Sequence, residues 1–504
     1  MRSWRGMHNL LAVSANTKEA AINTEQTIDT TMLVSQSDVI NLEPKRETNA
    51  DEMTGYEEPD SVYDLGALAS ANFNFEKAQP QHFAFLLAYA LGAISTGAAG
   101  TGYQHTITPI PNDEDVARSN PSFTAAMRLG DTVLKRRFAS MFVDSLQATF
   151  ARDAWCKING TIKATGKVTD NITEESITAA RNLTALTLAA NAVEGAAAGT
   201  RLDNVQRIRV ELATGVWTEV VYSAVSDATP AVITQTAPCV PAQIEGLSKA
   251  AACVVTWTAH GMASLDEVDI AGITQAEWSA LNATHIITYI DANSFSIPVD
   301  TSAYVLVYDP VTDPGTIVNS TDATYKVLYI PTEAAWCTFP ARVTETPLRV
   351  TDLTVKLGGA YTAAGGFVGG KELACEIESI EYSLQNNLQI EMCLGGSGTY
   401  ADRCFRDGRV QTLKFNREFR DYILQQHIDS NDTFGVQILA EGAVFDSPHM
   451  YTVALYFPKV AVISAPLSVN GKRLAEAGDL IVLEDSAEGS VEAIVKNVVA
   501  TYAA

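Results

Sequence analysis

Positive charge and long apolar runs are both scarce in this chain of 504 residues. Lys and Arg number 35 against 59 Asp and Glu, a formal charge of −24. A protein that grips nucleic acid needs Lys and Arg to neutralise phosphates, so this composition argues against that class. It leaves room for a surface past which nucleic acid slides without sticking. The default effect of such a charge is solubility through self-repulsion. The longest apolar stretch, Phe83–Ile94, falls well short of the roughly 20 residues that span a bilayer, so a buried helix is expected there and no membrane partner. Arg2 and Arg5 precede only Leu10–Val13, too short a run for a secretory leader, so synthesis in the cytoplasm is expected. The seven cysteines are odd in number and no CxxC occurs. Several sit in strand-like runs such as AACVV and LACEI, which reads as free buried thiols in a reducing compartment rather than zinc ligands.

Catalytic signatures are missing as well. The glycine clusters at Gly97–Gly102 and Gly365–Gly370 have neither the G-x-x-x-x-G-K-[ST] nor the GxGxxG frame of a phosphate loop. Gly395–Gly398 lacks the G-x-S-x-G elbow of a hydrolase. Asp113-Glu114-Asp115 lacks EF-hand spacing and reads as a solvated loop. His260 and His285 stand alone among strands and turns, where histidine is more often structural than a metal ligand. Glu484-Asp485 has no context for acid–base work. The expectation is no enzyme, no catalytic or metal residue and no cofactor.

What is present is β pattern. Hydrophobic residues make up 47% of the chain, enough for a sizeable core and two to four domains. Leu353, Val355 and Leu357 alternate with polar neighbours, as do Ile380, Tyr382 and Leu384, and then Leu388, Ile390 and Met392. Such period-2 alternation marks half-buried strands. Ile377 is out of phase, which places a bulge at Glu378-Ser379. A glycine-rich loop, Gly358–Gly370, separates the first two runs, and Asn386-Asn387 reads as a tight turn between the second and third. Upstream, Pro80 opens a helix carrying Phe83, Leu86, Leu87 and Ala90 at helical spacing. Residues 171–200 read as a linker or weak helix. The order strand–helix–strand recurs between residues 67–109 and 409–460, which raises a duplicated fold.

Two resemblances follow. The run T-A-H-G at Thr258–Gly261, D-x-V-x-I-x-G ending at Gly272, L-N-A-T from Leu281 and N-S-F-S-I from Asn293 resemble the small β-barrel module of ubiquitin-activating enzymes, which also decorates some phage virion proteins. This implies a decorative or adhesive domain, without ubiquitin chemistry. At larger scale, Asn41–Glu76 followed by the apolar helix, Ile377–Gly396, and Ala454–Val460 followed by a C-terminal strand set resemble the tail tube proteins of tailed bacteriophages. That resemblance implies an antiparallel β-barrel or sandwich whose sheets join across subunits into a ring. Rings stack into a hollow tube through which DNA leaves the capsid. It further implies an N-terminal arm at 1–60, a tube domain at 61–204 and 331–504, and an inserted β-domain at 205–330 with the small module near 251–304. Helices flanking the sheet fall on Gln79–Leu91 and Asn416–Gln426. The inserted domain would project outward.

The arm and the glycine loop are the implied bridges between rings. Gly358, Tyr361, Gly366, Phe367 and Gly370 are the contact candidates, in a loop expected to order only when another ring is present. Partners would be further copies of the chain, as trimeric pseudo-hexamers or hexamers. The tape measure protein and the tail terminator or baseplate proteins would bind as well, and DNA would pass the lumen without specific binding. The location would be the virion. The alternative class is a β-rich tail fibre, baseplate component or surface adhesin that binds host glycans.

Overall fold

The computed structural model describes residues 9–35, 37–53, 55–110, 120–130, 134–189, 191–193, 204–332, 338–362, 366–373, 375–471 and 473–504. The chain is mainly β, with antiparallel sheets and, among the described residues, two α-helices. It divides into two compact units, residues 1–170 with 335–504, and residues 171–334.

The first unit contains β1 (Leu10–Val13), β2 (Asn41–Thr48), β3 (Val62–Phe75), α1 (Pro80–Leu91), β4 (Gly92–Ala99), β5 (Gly102–Pro109), β6 (Phe123–Leu129), β7 (Leu134–Ala151) and β8 (Lys157–Ala164). After the second unit come β9 (Leu353–Leu357), β10 (Ile377–Gln385), β11 (Val410–Glu418), α2 (Ile423–Ser430), β12 (Phe434–Asp446), β13 (His449–Ser464), β14 (Arg473–Val482) and β15 (Glu492–Asn497). Antiparallel pairing runs in the order β2-β3-β8-β7-β10-β11-β14-β13-β15-β5-β4. β6 and then β1 branch from β7, and β12 and then β9 branch from β13. The run does not close into a barrel. Among the described residues, β2 pairs only with β3 and β4 only with β5.

The helix α1 holds this sheet together. It is apolar on every face from Phe83 onward, and all of its residues, Gln81 and His82 of the first turn included, are buried, as expected of a helix with no solvent face. It lies against β4, β5, β7, β8, β13 and β15, so strands far apart in the pairing order meet on one helix. Phe83 stacks on Phe150 at 6.0 Å between ring centroids, and Phe85 and Tyr89 meet Phe123 edge-on at 5.0 and 5.1 Å. Gly160 of β8 leaves room for Leu86, whose Cδ2 would sit 2.8 Å from an added Cβ.

With both ends buried, the helix termini need protein partners. At the N-terminus, the Gln79 amide donates to His82 Nδ1 at 3.2 Å and the Gln81 amide to Glu345 Oε2 at 2.8 Å. At the C-terminus, Asn386 Nδ2 donates to the Ala90 carbonyl at 3.1 Å and the Ile110 amide to the Leu91 carbonyl at 2.9 Å.

Several expectations need correction. Residues 10–35 are part of the sheet rather than a free arm: Leu11, Ala12, Val13 and Ala15 are buried. The buried Glu19 carboxylate locks this segment to the body. It accepts from Ser122 Oγ (2.8 Å), Thr124 Oγ1 (2.5 Å), the Ser140 amide (2.9 Å) and Ser140 Oγ (2.6 Å). Strand β9 pairs with β12, and β10 pairs with β11 and β7, so the two alternating runs flanking the glycine loop are not each other's partners. Asn386-Asn387 does turn the chain, with Asn387 at φ 50°, but the strand that follows, Leu388–Glu391, pairs with Arg403–Arg406 instead of β10. The register slip between Ile377 and Ser379 is where the phase break placed it. The second helix is Ile423–Ser430 rather than 416–426, and it buries Leu424 instead of Phe419 and Tyr422. The strand–helix–hairpin order does occur twice, as β3-α1-β4-β5 and β11-α2-β12-β13. Both copies contribute to one core cluster.

The second unit starts at Asn171, upstream of the boundary expected at 205, because residues 171–187 form strands rather than a linker. Thr173–Ala180 pairs with Asp322–Tyr329, which pairs in turn with Val205–Ala213. One core gathers Leu186, Ile208, Val210, Ile233, Tyr325 and Tyr329. A second gathers Cys253, Val255, Val268, Ile270, Trp278 and Phe295 between two four-stranded sheets. This module spans Ala242 to Asn319, wider than the expected 251–304.

The N-terminus of α1 carries a pH signature. Burial pushes the Glu345 carboxyl up from 4.5 to about 7, against the hydrogen bonds from the Gln81 and Val498 amides. Burial pushes the His82 imidazole down from 6.5 to about 3. Above pH 4.5 the unfolded chain releases the Glu345 proton that the folded chain keeps until about pH 7, so this contribution to stability falls as pH rises through that window. Below pH 6.5 the unfolded chain protonates His82 while the folded chain does not, so that contribution falls as pH drops towards 3. The two slopes oppose each other between pH 4.5 and 6.5. Relative to wild type, Glu345→Gln should therefore gain stability with rising pH in this window, by about 1.4 kcal/mol per pH unit, and His82→Asn should lose it at a similar rate. Urea unfolding at three pH values measures both, and parallel curves for all three proteins would contradict the assignment.

Candidate assembly surface

The arms of the glycine loop form a hairpin, Ala360–Thr362 against Gly366–Val368. Gly365 and its two preceding residues lie outside the described residues, as do Asp113-Glu114-Asp115 and Cys337. Tyr361 and Phe367 are directly opposite one another in this hairpin, with ring centroids 5.3 Å apart. Both turn towards Tyr456 of β13, at 6.1 and 6.4 Å. With Ala454 and Ile494 they make a small apolar cluster separate from the main core.

The glycines allow this close approach. Gly366 has φ 75°, and an added Cβ would sit 2.7 Å from Tyr456 Cε1. A Cβ on Gly435 of β12 would overlap the Phe367 ring. Gly358 donates its amide to the Gly435 carbonyl at 2.8 Å, and the Phe367 amide donates to Gln437 Oε1 at 3.1 Å. Gly370 closes the foot of the hairpin, next to Lys371, which pairs with Leu357. The Lys371 ammonium reaches Asp421, and Asp421 also accepts from the buried Arg417 at 3.0 Å. Burial alone would raise Asp421, but the hydrogen bonds from Lys371 and Arg417 outweigh it and bring the carboxyl down to about 2. All five candidate residues are thus brought together. The expectation of a loop that orders only against another ring is corrected in one respect: its described arms already lie on their own sheet.

A second feature escaped the sequence reading. β2 and the first residues of β3 form a two-stranded ribbon whose side chains are almost all exposed, pairing Arg46 with Asp64, Glu47 with Tyr63 and Thr48 with Val62. Burial begins abruptly at Gly66, with φ 97°, where an added Cβ would meet the Thr399 carbonyl oxygen at 2.9 Å. Asn49 pins the far end: its side chain donates to Asp60 Oδ1 at 2.6 Å and accepts from the Asp60 and Ser61 amides at 3.2 Å. Large apolar side chains stand in solvent here, including Tyr56 (73% exposed), Val62 (62%) and Leu65 (49%). The signal in the sequence was weak: Val62 and Tyr63 after the polar loop Asn49–Ser61 are strand formers, but Asn41–Thr48 before it is charged and carries Pro44.

The remaining candidates are accounted for locally. His260 Nε2 bonds the Asp291 carbonyl at 2.8 Å and its Nδ1 accepts the Met262 amide at 3.1 Å, while His285 Nε2 bonds the Leu281 carbonyl at 2.9 Å. No cluster of three metal-ligating side chains occurs among the described residues. Of the described cysteines, Cys156 and Cys253 are buried, whereas Cys375 and Cys393 are exposed, contrary to the reading of all as buried thiols. No described helix is long and apolar enough to cross a membrane. No known family matches the chain, and no curated protein matches it.

The hairpin geometry is testable by displacement. Gly435→Ala should lift the Phe367 ring off β12 and raise hydrogen exchange across 358–370 while α1 stays protected. Phe367→Ala should destabilise the first unit by about 3 kcal/mol through the lost side chain and its cavity. Unchanged hairpin exchange in Gly435→Ala would show that the packing is not as described.

Proposed function

We propose that this chain is a structural subunit that assembles with copies of itself into rings stacked as a tube, the conduit of a bacteriophage tail. The observation that supports this best is the exposed ribbon of β2 and β3. A two-stranded ribbon with free edges and solvent-exposed Tyr56, Val62, Tyr63 and Leu65 is an aggregation hazard in a lone subunit and a contact device in an assembly. The open sheet adds to this: among the described residues, β2 and β4 end the pairing run with one edge each left unpaired, and closure into a ring of copies would remove such edges. The resemblance of Asn41–Glu76, Ile377–Gly396 and Ala454–Val460 to tail tube proteins supplies the geometry of stacked rings.

In this reading the ribbon takes over the bridging role first assigned to the whole N-terminal arm. The hairpin at Gly358–Gly370 covers an apolar patch of its own sheet. A net charge of −24 keeps DNA moving through the bore, because like charge gives phosphates no place to dwell. The tape measure protein and the terminator or baseplate proteins are the further partners. The role is structural, with no reaction and no cofactor.

Negative-stain microscopy of concentrated protein should show rings and stacks, and the symmetry of end-on views reads three against six chains per ring. The triple variant Val62→Ser, Tyr63→Ser, Leu65→Ser should keep the first unit folded, since these side chains are exposed and Tyr63 bonds only the surface residue Glu52 among the described residues, at 2.7 Å, and it should lose long stacks. Discrete particles without rings, or long tubes from the triple variant, would overturn the proposal. Glycan affinity in ring-free particles would favour an adhesin instead.

A further inference from the structure

The module of the second unit that spans Ala242 to Asn319 shows solvent a run of apolar side chains while holding their backbone inward. Val305, Leu306 and Val307 are all exposed, the two valines at 79 and 74%, and Val311 just beyond them is 87% exposed. The backbone of this loop is tied to the module. The Val305 and Leu306 amides both donate to Glu277 Oε2, at 2.8 and 2.9 Å. The carbonyls of Val305, Leu306 and Val307 accept from Lys249 Nζ at 2.6 Å, Trp278 Nε1 at 3.2 Å and Gln275 Nε2 at 3.0 Å. Trp278 is fully buried, and Tyr308, at the end of the run, is buried with its hydroxyl donating to the Asp313 carbonyl at 2.9 Å. Side chains of the module thus bind five backbone groups of three consecutive residues, and the apolar side chains of those residues are left to solvent.

Three consecutive exposed apolar side chains are a liability unless they have a binding role. A backbone fixed beforehand lowers the ordering cost of that binding. Charge then selects the partner. The module has nine Asp and Glu against one Lys and no Arg. Glu277, Asp300 and Asp309, which flank the loop, accept from backbone amides and hydroxyls, all neutral donors. An anionic lipid surface repels such a module, and a second copy of it carries the same sign. What complements apolar side chains set among carboxylates is an apolar surface that also carries Lys or Arg.

We propose that the Val305–Val311 loop docks a partner protein whose contact surface combines apolar side chains with Lys or Arg. The inference concerns the second unit alone, goes beyond the tube reading and survives its failure.

The test titrates the full-length protein by calorimetry with three synthetic peptides of equal length, one alternating leucine and lysine, one serine and lysine, and one leucine and glutamate. Hydrogen exchange locates the contact. The leucine–lysine peptide should bind saturably and slow exchange within 305–311, and the other two should bind at least about tenfold more weakly. The double variant Val305→Ser, Val307→Ser should keep the wild-type melting temperature, since both side chains are exposed. It should weaken binding of the leucine–lysine peptide at least about tenfold, through the loss of two valines buried in the contact. Glu277→Ala, which frees two amides of the loop, should raise exchange at Val305 and Leu306 and weaken binding, and Glu277→Gln, which keeps an acceptor, should restore both. No saturable binding of the leucine–lysine peptide, or equal binding by wild type and the double variant, would overturn the proposal. Binding to phosphatidylglycerol vesicles, or self-association, that the double variant loses would give the loop a different occupant and overturn it too.

Discussion

A helix with no solvent face must find partners for its end groups inside the protein. That requirement organises the first unit. Its α1 is preceded and followed by sequence-local strands, yet the groups that satisfy its ends come from far along the chain: Glu345 at one terminus, Asn386 and Arg409 at the other. Each is separated from α1 by the whole second unit. Unit one therefore cannot complete its central helix until both of its sequence segments are present, and β7 pairing with β10 welds the same two segments edge to edge. The second unit has its own two cores and makes no such demand.

The same constraint explains why polar residues are buried where they are. Gln79, Gln81, His82, Glu345, Asn386 and Asn497 are all nearly inaccessible, and most serve backbone groups that water cannot reach. Arg417 and Glu476, paired at 2.6 Å with neither side chain exposed, do comparable work beneath α2. A buried pair of this kind adds little net stability, but losing one partner is costly, so it favours one arrangement of β11, β14 and the helix over looser ones. The periphery shows the opposite economy of contacts: the described residues of the ribbon, β2 with the first residues of β3, are almost all exposed and are tied by surface contacts such as Asn49 to Asp60 and Tyr63 to Glu52.

What the sequence alone revealed divides along the same line. Short-range rules worked. Pro80 and an all-apolar run located α1 to within a residue, alternation located β9 and β10, and the phase break at Ile377 located a register shift. Partner choice did not follow, because alternation says which face is buried and nothing about which strand lies alongside. Asn386 is instructive: as a turn residue it was legible, but its side chain's role on the Ala90 carbonyl depends on a helix 296 positions away. Of the assembly surface, the glycine loop was visible as composition, whereas its packing on Tyr456 was not. The ribbon was hidden because a charged, irregular stretch reads as a flexible terminus unless its two halves are known to pair.

The central claim is that the well-packed interior exists to present free edges and an exposed ribbon to other copies. Hydrogen exchange followed by mass spectrometry, on dispersed protein and on the assembled fraction, addresses it directly. The account predicts that α1 is protected in both, and that the amides of 41–48 and 62–65 exchange rapidly when dispersed and slowly when assembled. Equal, rapid exchange of the ribbon in both fractions would contradict it.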